Sequence, residues 1–81
     1  MNLADILIEL DKLNPAQRRA LRAQFPGRPE ICFLRCNEFL GQVDSLQVGF
    51  KSGDAGENPV HYFLNVGPRG AIRERRCLGR V

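Results

Sequence analysis

The spacing of apolar residues along the chain changes near residue 30, from a helical period to a strand-like one. Before that point, apolar residues recur every three or four positions, which predicts an amphipathic helix over about residues 2–13. The residues of this stripe are Leu3, Ile6, Leu7, Leu10 and Leu13. Asn2 precedes the stripe, and asparagine is a residue type that favours the N-cap of a helix.

A second helix is predicted over about residues 15–24. Asn14 is suited to cap it, Pro15 fits the first helical position, and Gln17 stands three residues after the cap, as in a capping box. The prolines and the glycine of residues 26–29 end this helix. Because the link to the first helix is so short, we expect the two helices to form a hairpin or a corner.

The remainder of the chain favours the strands of an antiparallel sheet. Residues 31–34 are a continuous apolar run, whereas residues 46–50 and 60–66 alternate between apolar and other positions. A final strand over residues 71–78 carries arginine on both faces, which is tolerated only at an edge of the sheet.

Two stretches of this region leave alternatives open. Asn37-Glu38 is typical of a turn, and residues 39–43 fit either a strand or one helical turn. Helices followed by strands indicate an α+β fold. We therefore predict one domain over residues 1–81, in which an N-terminal helical hairpin packs on a small antiparallel β-sheet of three to four strands within residues 30–78.

Length and composition indicate a single small globular domain. The 81 residues leave no room for a second domain, and 43% hydrophobic residues are too many for a disordered chain. We expect no contact with a membrane, because no apolar run is long enough to span one and no basic, apolar secretory signal is visible. Three cysteines are an odd number, which disfavours a disulfide framework and favours the cytoplasm.

Positive charge is concentrated in two arginine-rich segments. The net charge is +3, and residues 14–29 carry arginine and no acid, while residues 66–81 carry five arginines and one glutamate. The planar guanidinium of arginine binds carboxylates and phosphates, so we predict that both segments contact a partner. A high-GC genome is the alternative explanation for the arginine content. The predicted contact residues are Arg18, Arg19, Arg22, Arg69, Arg73, Arg75 and Arg76.

The second helix is predicted to divide into a basic side and a core side. Its three arginines are expected on the exposed side, with Gln17 and Gln24 nearby. The opposite side, formed by Ala16, Ala20 and Leu21, is expected to face the core.

A further predicted surface is the sheet face that the helices leave uncovered. The apolar runs at residues 31–34 and 62–64 point to both faces, and two helices of about ten residues cover only one face. We expect Cys32, Leu34 and Phe63 on the uncovered face. An apolar patch of that kind marks an interface, with a protein partner or with a second copy in a homodimer.

The cysteines and the single histidine are the residue types of a tetrahedral zinc site. However, on a strand Cys32 and Cys36 lie about 13 Å apart, which is too far for one ion. With His61 and Cys77 distant in the chain, we expect no metal site and no cofactor. No nucleophilic pair or glycine-rich phosphate loop is indicated, so we expect no enzymatic activity.

These features favour a small non-enzymatic binding protein that inhibits or modulates a protein partner with an acidic surface. Its size and its lack of motifs are typical of inhibitors and regulators encoded by phages or mobile elements. The alternative function is a nucleic-acid-binding regulator, in which the same arginines contact phosphates.

Overall fold

The computed structural model describes residues 1–26, 30–51 and 59–80, which form two helices followed by four strands. The helices are α1 (Leu3–Lys12) and α2 (Pro15–Gln24); the strands are β1 (Glu30–Phe39), β2 (Gln42–Lys51), β3 (Val60–Val66) and β4 (Ile72–Arg80). The strands form one antiparallel sheet in the order β1-β2-β3-β4, so β1 and β4 are its edges. The predicted α+β fold is confirmed, with four strands.

Both helices begin at the asparagines that the sequence indicates. The Asn2 side chain accepts the N–H of Asp5 at 2.9 Å. At α2 the Asn14 side chain accepts the N–H of Gln17 at 2.9 Å, while the Gln17 side chain accepts the N–H of Asn14 at 3.1 Å. This reciprocal capping box, with Pro15 in the first turn, fixes where α2 starts.

The core lies between the helices and one face of the sheet. The central strands supply most of it, since alternate residues of β3, and of β2 after the register shift at Asp44, point to this face. The buried apolar residues are Ile6, Leu13, Leu21, Leu34, Val43, Leu46, Val48, Phe50, Leu64 and Val66.

The expected position of Leu34 on the uncovered face is wrong, because its side chain is 0% exposed in the core. The pairing of β1 with β2 shifts between Ile31 and Phe33, so a β-bulge at Cys32 changes the alternation of side chains. As a result, Ile31 and Leu34 both pack on the helix side, and Phe33 lies on the opposite face.

The turn predicted at Asn37-Glu38 and the helical turn considered for residues 39–43 are also wrong. Strand β1 continues through Phe39, and the chain reverses at Leu40-Gly41. Both turn residues have positive φ angles, 52° and 77°, as a two-residue hairpin of right-handed strands requires.

The apolar stripe of α1 is only partly buried. Ile6 and Leu13 are in the core, but Leu3 is 71% exposed and Leu7 51% exposed. The reason is that Glu9 contacts the backbone of β1, which turns the buried side of α1 toward Glu9 and away from these two leucines.

Candidate binding surfaces

The two arginine-rich segments are adjacent in the fold, because the two ends of α2 contact the β3–β4 turn and β4. At the start of α2, the Asn14 side chain donates to the carbonyl of Pro68 in the β3–β4 turn at 2.7 Å. At the end of α2, the Arg75 guanidinium of β4 donates to the carbonyl of Gln24 at 3.3 Å. We call this surface, formed by α2, the β3–β4 turn and β4, the basic side. Its arginines are Arg18, Arg19, Arg22, Arg69, Arg73 and Arg75.

Gln17 fixes the position of α2, and it does not lie beside the exposed arginines as the sequence predicts. Its side chain is 2% exposed and donates to the carbonyls of Val43 at 2.9 Å and Gly67 at 3.2 Å. A buried amide is stable only when its polar atoms are paired, and here the pairing joins α2 to β2 and to the β3–β4 turn.

The β3–β4 turn packs closely against the first turn of α2. Gly70 has a φ of +85°, and a Cβ atom at this position would lie 2.6 Å from the carbonyl oxygen of Ala16. Only glycine permits both the backbone conformation and the approach. The turn that carries Arg69 is therefore held against the helix.

Arg75 combines a structural contact with an exposed charge. Its guanidinium lies over the rings of Phe25, at 4.7 Å, and Tyr62, at 5.0 Å. A shallow cavity of about 300 Å³ opens here and is also lined by Phe50 and Val60. The cation–π contacts fix the direction of the guanidinium, so the basic side has an ordered centre next to an apolar recess.

Most of the positive charge on the basic side is not neutralised within residues 1–26, 30–51 and 59–80. In these ranges one arginine forms an ion pair, Arg76 with Glu74 at 3.8 Å, and both side chains are largely exposed. The arginines of α2, Arg69, Arg73 and Arg75 have no carboxylate within 4.0 Å among the described residues. Uncompensated arginines on one surface produce a positive potential that attracts anionic groups.

The opposite side of the molecule, formed by α1 and β1, is acidic. Helix α1 carries three carboxylates, and its Glu9 accepts the N–H of Cys36 in β1 at 2.9 Å. This hydrogen bond, together with Lys12 at 2.9 Å, lowers the pKa of Glu9 below its ordinary value of 4.5. The molecule therefore has an electrostatic dipole, with its negative end at α1 and its positive end at α2.

The sheet face without helices, which we call the open face, carries one aromatic pair and one cation–π pair. The rings of Phe33 and His61 stack at 5.3 Å across the intervening strand, where Gly49 leaves room for them. A Cβ atom at Gly49 would lie 2.8 Å from His61 Nε2. The Phe33–His61 pair is not predicted from the sequence, although a glycine inside a strand, here Gly49, often marks a close approach of neighbouring groups.

The cation–π pair of the open face includes Phe63, which the sequence predicts on this face. The Arg76 guanidinium lies 5.1 Å from the centre of the half-buried Phe63 ring. Cys32 is also half-buried, and its thiol donates to the carbonyl of Gly49 at 3.3 Å. With Leu34 in the core, the open face is less apolar than expected and mixes aromatic, arginine and amide groups.

The cysteines and the histidine make contacts in different parts of the fold. Cys36 packs against α1, Cys77 is exposed on β4, and His61 stacks on the open face. Burial raises the pKa of the Cys36 thiol to about 12, and the negative charge of Glu9 adds to the effect. Across the described ranges, no group of three or more histidine, cysteine or acidic side chains is arranged to hold a metal ion.

Neither α1 nor α2, the helices of the described residues, is long and apolar enough to cross a membrane. No known protein family, curated protein or solved structure matches this chain.

Proposed function

We propose that this protein is a small non-enzymatic binding protein that inhibits or modulates a protein partner with an acidic surface. The observation that supports the proposal is that two arginine-rich segments lie next to each other, and that no carboxylate of the described residues lies within 4.0 Å of the basic-side arginines. A guanidinium binds a carboxylate through two parallel hydrogen bonds, and arginine is over-represented among the residues that carry interface energy.

The rigid placement of these arginines favours a binding role. Helix α2 is capped at Asn14, anchored by the buried Gln17, and held at its other end by Arg75. A surface that is ordered before binding loses less conformational entropy when a partner docks. Less of the interaction energy of the arginines is therefore lost in ordering the backbone of α2.

The acidic side opposite the basic side orients the protein as it approaches its partner. A charge distribution with positive and negative ends turns toward an acidic surface during diffusion, which raises the association rate. We expect this rate to fall as salt is added, while dissociation changes less.

The open face is the second proposed contact, centred on Phe63 and Arg76. An aromatic ring beside an arginine is typical of the central part of an interface. In the homodimer predicted from the sequence, the two copies contact each other through the same open face. Sedimentation of the wild type and of Phe63→Ala tests whether this dimer forms. We place the activity in the cytoplasm, because all three cysteines are free thiols.

A second candidate function, single-stranded nucleic acid binding, is favoured by the aromatic groups of the open face. Some RNA-binding domains stack bases on aromatic side chains that project from a four-stranded sheet. Phe33, His61 and Phe63 project from the open face here, with Arg76 available for phosphate or for stacking.

The kind of molecule that binds separates the two functions. A protein that neutralises several phosphates loses affinity by orders of magnitude between about 50 and 200 mM salt. The test is a gel-shift series with random duplex and single-stranded DNA, beside capture of partners from a nuclease-treated host lysate on the immobilised protein. Capture of a protein by the wild type but not by the triple variant Arg18→Ala/Arg19→Ala/Arg22→Ala supports the proposal. A DNA shift at low salt, with no protein captured, supports the second candidate instead.

A further inference from the structure

The two edges of the sheet differ in how their backbone is covered. At the β1 edge, the N–H of Cys36 donates to Glu9 of α1 at 2.9 Å, and the N–H of Leu34 points to the sulfur of Met1 at 3.5 Å. These groups cannot pair with β2, because they point to the outside of the sheet. Helix α1 therefore closes the β1 edge to any further strand.

Among residues 1–26, 30–51 and 59–80, none covers the β4 edge in this way. None of these residues donates a hydrogen bond to, or accepts one from, the outward backbone groups of β4. An uncovered edge strand presents a row of N–H and C=O groups that accept another strand. Helix α2 lies beside β4 on the core face of the sheet and leaves the edge itself open.

The usable part of this edge is short and regular. The pairing of β4 with β3 shifts at Arg73 and again at Leu78, and between these bulges Glu74–Cys77 pairs residue by residue with β3. Bulges twist an edge away from an added strand. An added strand therefore pairs with about four residues of β4, and its specificity depends on nearby side chains.

The segment Glu74–Cys77 carries two arginines and one glutamate, and Glu74 forms a largely exposed ion pair with Arg76 at 3.8 Å. Arg75 lies on the core face of β4 above the apolar recess, Arg76 lies on the open face, and Arg73 lies at the bulge that precedes them. A strand placed beside β4 meets a guanidinium on each of its two faces. Carboxylate side chains complement both, and like charges are destabilising in cross-strand positions.

A second copy of this chain does not fit the β4 edge. Pairing β4 with β4 brings the arginines of the two copies together, which is unfavourable. Pairing β4 with β1 of another copy is hindered by Glu9 of α1 and by Met1, which precedes α1, because both already contact the outer backbone of β1.

We propose that the β4 edge binds an extended acidic segment of the partner protein as a fifth strand, through the backbone of Glu74–Cys77 and the flanking arginines. This inference rests on the proposed function and names the form in which the partner is recognised. The binding combines backbone hydrogen bonds with carboxylate–guanidinium contacts, so it requires both an extended backbone and negative charge.

The probe is a seven-residue peptide, Val-Glu-Glu-Val-Glu-Glu-Val, which places carboxylates on both faces of an extended strand. It is added to the full-length protein, and binding is followed by amide hydrogen exchange. We expect alternate amides of Glu74–Cys77 to exchange more slowly in its presence, while β1 is unchanged. One control peptide has glutamine in place of glutamate and should bind roughly tenfold more weakly, because its charge pairs are lost. Another is methylated at every backbone nitrogen and should give no protection.

Three outcomes overturn the inference: no protection of β4, equal binding of the methylated peptide, or protection confined to β1 or the open face. A short oligothymidylate serves as the nucleic-acid arm, and its binding in place of the peptide also contradicts the inference. Capture of a partner that depends on the α2 arginines, without protection of β4, leaves the proposed function standing and shows that strand addition is wrong.

Discussion

Gln17 donates a hydrogen bond from its side-chain amide to the carbonyl oxygen of Val43 at 2.9 Å, in the interior of the protein. The same nitrogen lies 3.2 Å from the carbonyl of Gly67, so one side chain joins α2, β2 and the β3–β4 turn. The orientation of α2, and with it the geometry of the basic side, depends on this buried amide.

Replacing Gln17 by leucine should therefore destabilise the fold. The change keeps a similar volume but removes the side-chain donor of the buried Val43 carbonyl, while the Gly67 carbonyl still accepts the N–H of Gly70 at 3.0 Å. We expect a cost of about 1–3 kcal/mol. Gln24→Leu, on the same helix but only half-buried, should change the free energy of unfolding by less than about 1 kcal/mol. Urea unfolding of both variants is the measurement, and equal midpoints would show that the amide does not anchor α2.

Two glycines with similar backbone conformations should respond differently to alanine. Gly41 (φ +77°) has open space around it, and Gly41→Ala should cost about 1 kcal/mol from backbone strain alone. Gly70 (φ +85°) faces the Ala16 carbonyl at 2.6 Å, so Gly70→Ala adds a steric collision and should cost more. Thermal melting compares them, and equal melting temperatures would contradict the close packing of the β3–β4 turn on α2.

The stability of the protein should fall in acid partly through Glu9. Its pKa is lowered in the folded state, mainly by the Cys36 N–H, so its ionised form stabilises the fold above pH 4.5. This contribution is lost as the pH falls below 4.5 and through the lower folded pKa. Glu9→Gln should therefore be less stable than the wild type at neutral pH, and the difference should shrink in acid. Asp11→Asn removes one exposed carboxylate from the same helix and serves as the control; an identical pH profile for both variants contradicts the assignment.

The cysteines should differ in their reactivity with an alkylating reagent. The pKa of Cys36 is raised to about 12 by burial, so little thiolate is present at about pH 8, whereas Cys77 is exposed. We expect iodoacetamide to modify Cys77 roughly tenfold faster than Cys36 or more, as measured by mass spectrometry of the peptides. In urea the rates should converge. Equal rates in the folded protein would mean that α1 does not cover Cys36.

Local sequence signals predict the helices well. Asn14, Pro15 and Gln17 interact within a single turn, so their capping box follows from spacing alone. The burial of Gln17 does not, because its partners Val43 and Gly67 lie far along the chain. A glutamine on an arginine-rich helix is of a residue type that is mostly exposed, so its burial is not expected from the sequence.

The sheet is predictable in outline but not in register. The bulge at Cys32 leaves no mark in the sequence, and it decides that Leu34 enters the core while Phe33 faces outward. Likewise, the turn at Leu40-Gly41 places a leucine at a positive φ, which propensity disfavours. The adjacency of the two arginine-rich segments depends on the contacts of α2 with the β3–β4 turn and β4, which hydrophobic patterns do not encode.

The most direct test of the account is a binding titration of the captured partner with Arg18→Ala/Arg19→Ala/Arg22→Ala, beside thermal melting. Arg35→Ala, an exposed arginine on β1, is the matched control. We expect the triple variant to melt near the wild-type temperature, because Arg19 and Arg22 are exposed, Arg18 is half-buried, and surface positions shift stability by less than about 0.5 kcal/mol each. We expect it to bind roughly tenfold more weakly or worse. Arg35→Ala should bind like the wild type. Wild-type affinity in the triple variant, or an equal loss in Arg35→Ala, would contradict the assignment of partner binding to the basic side.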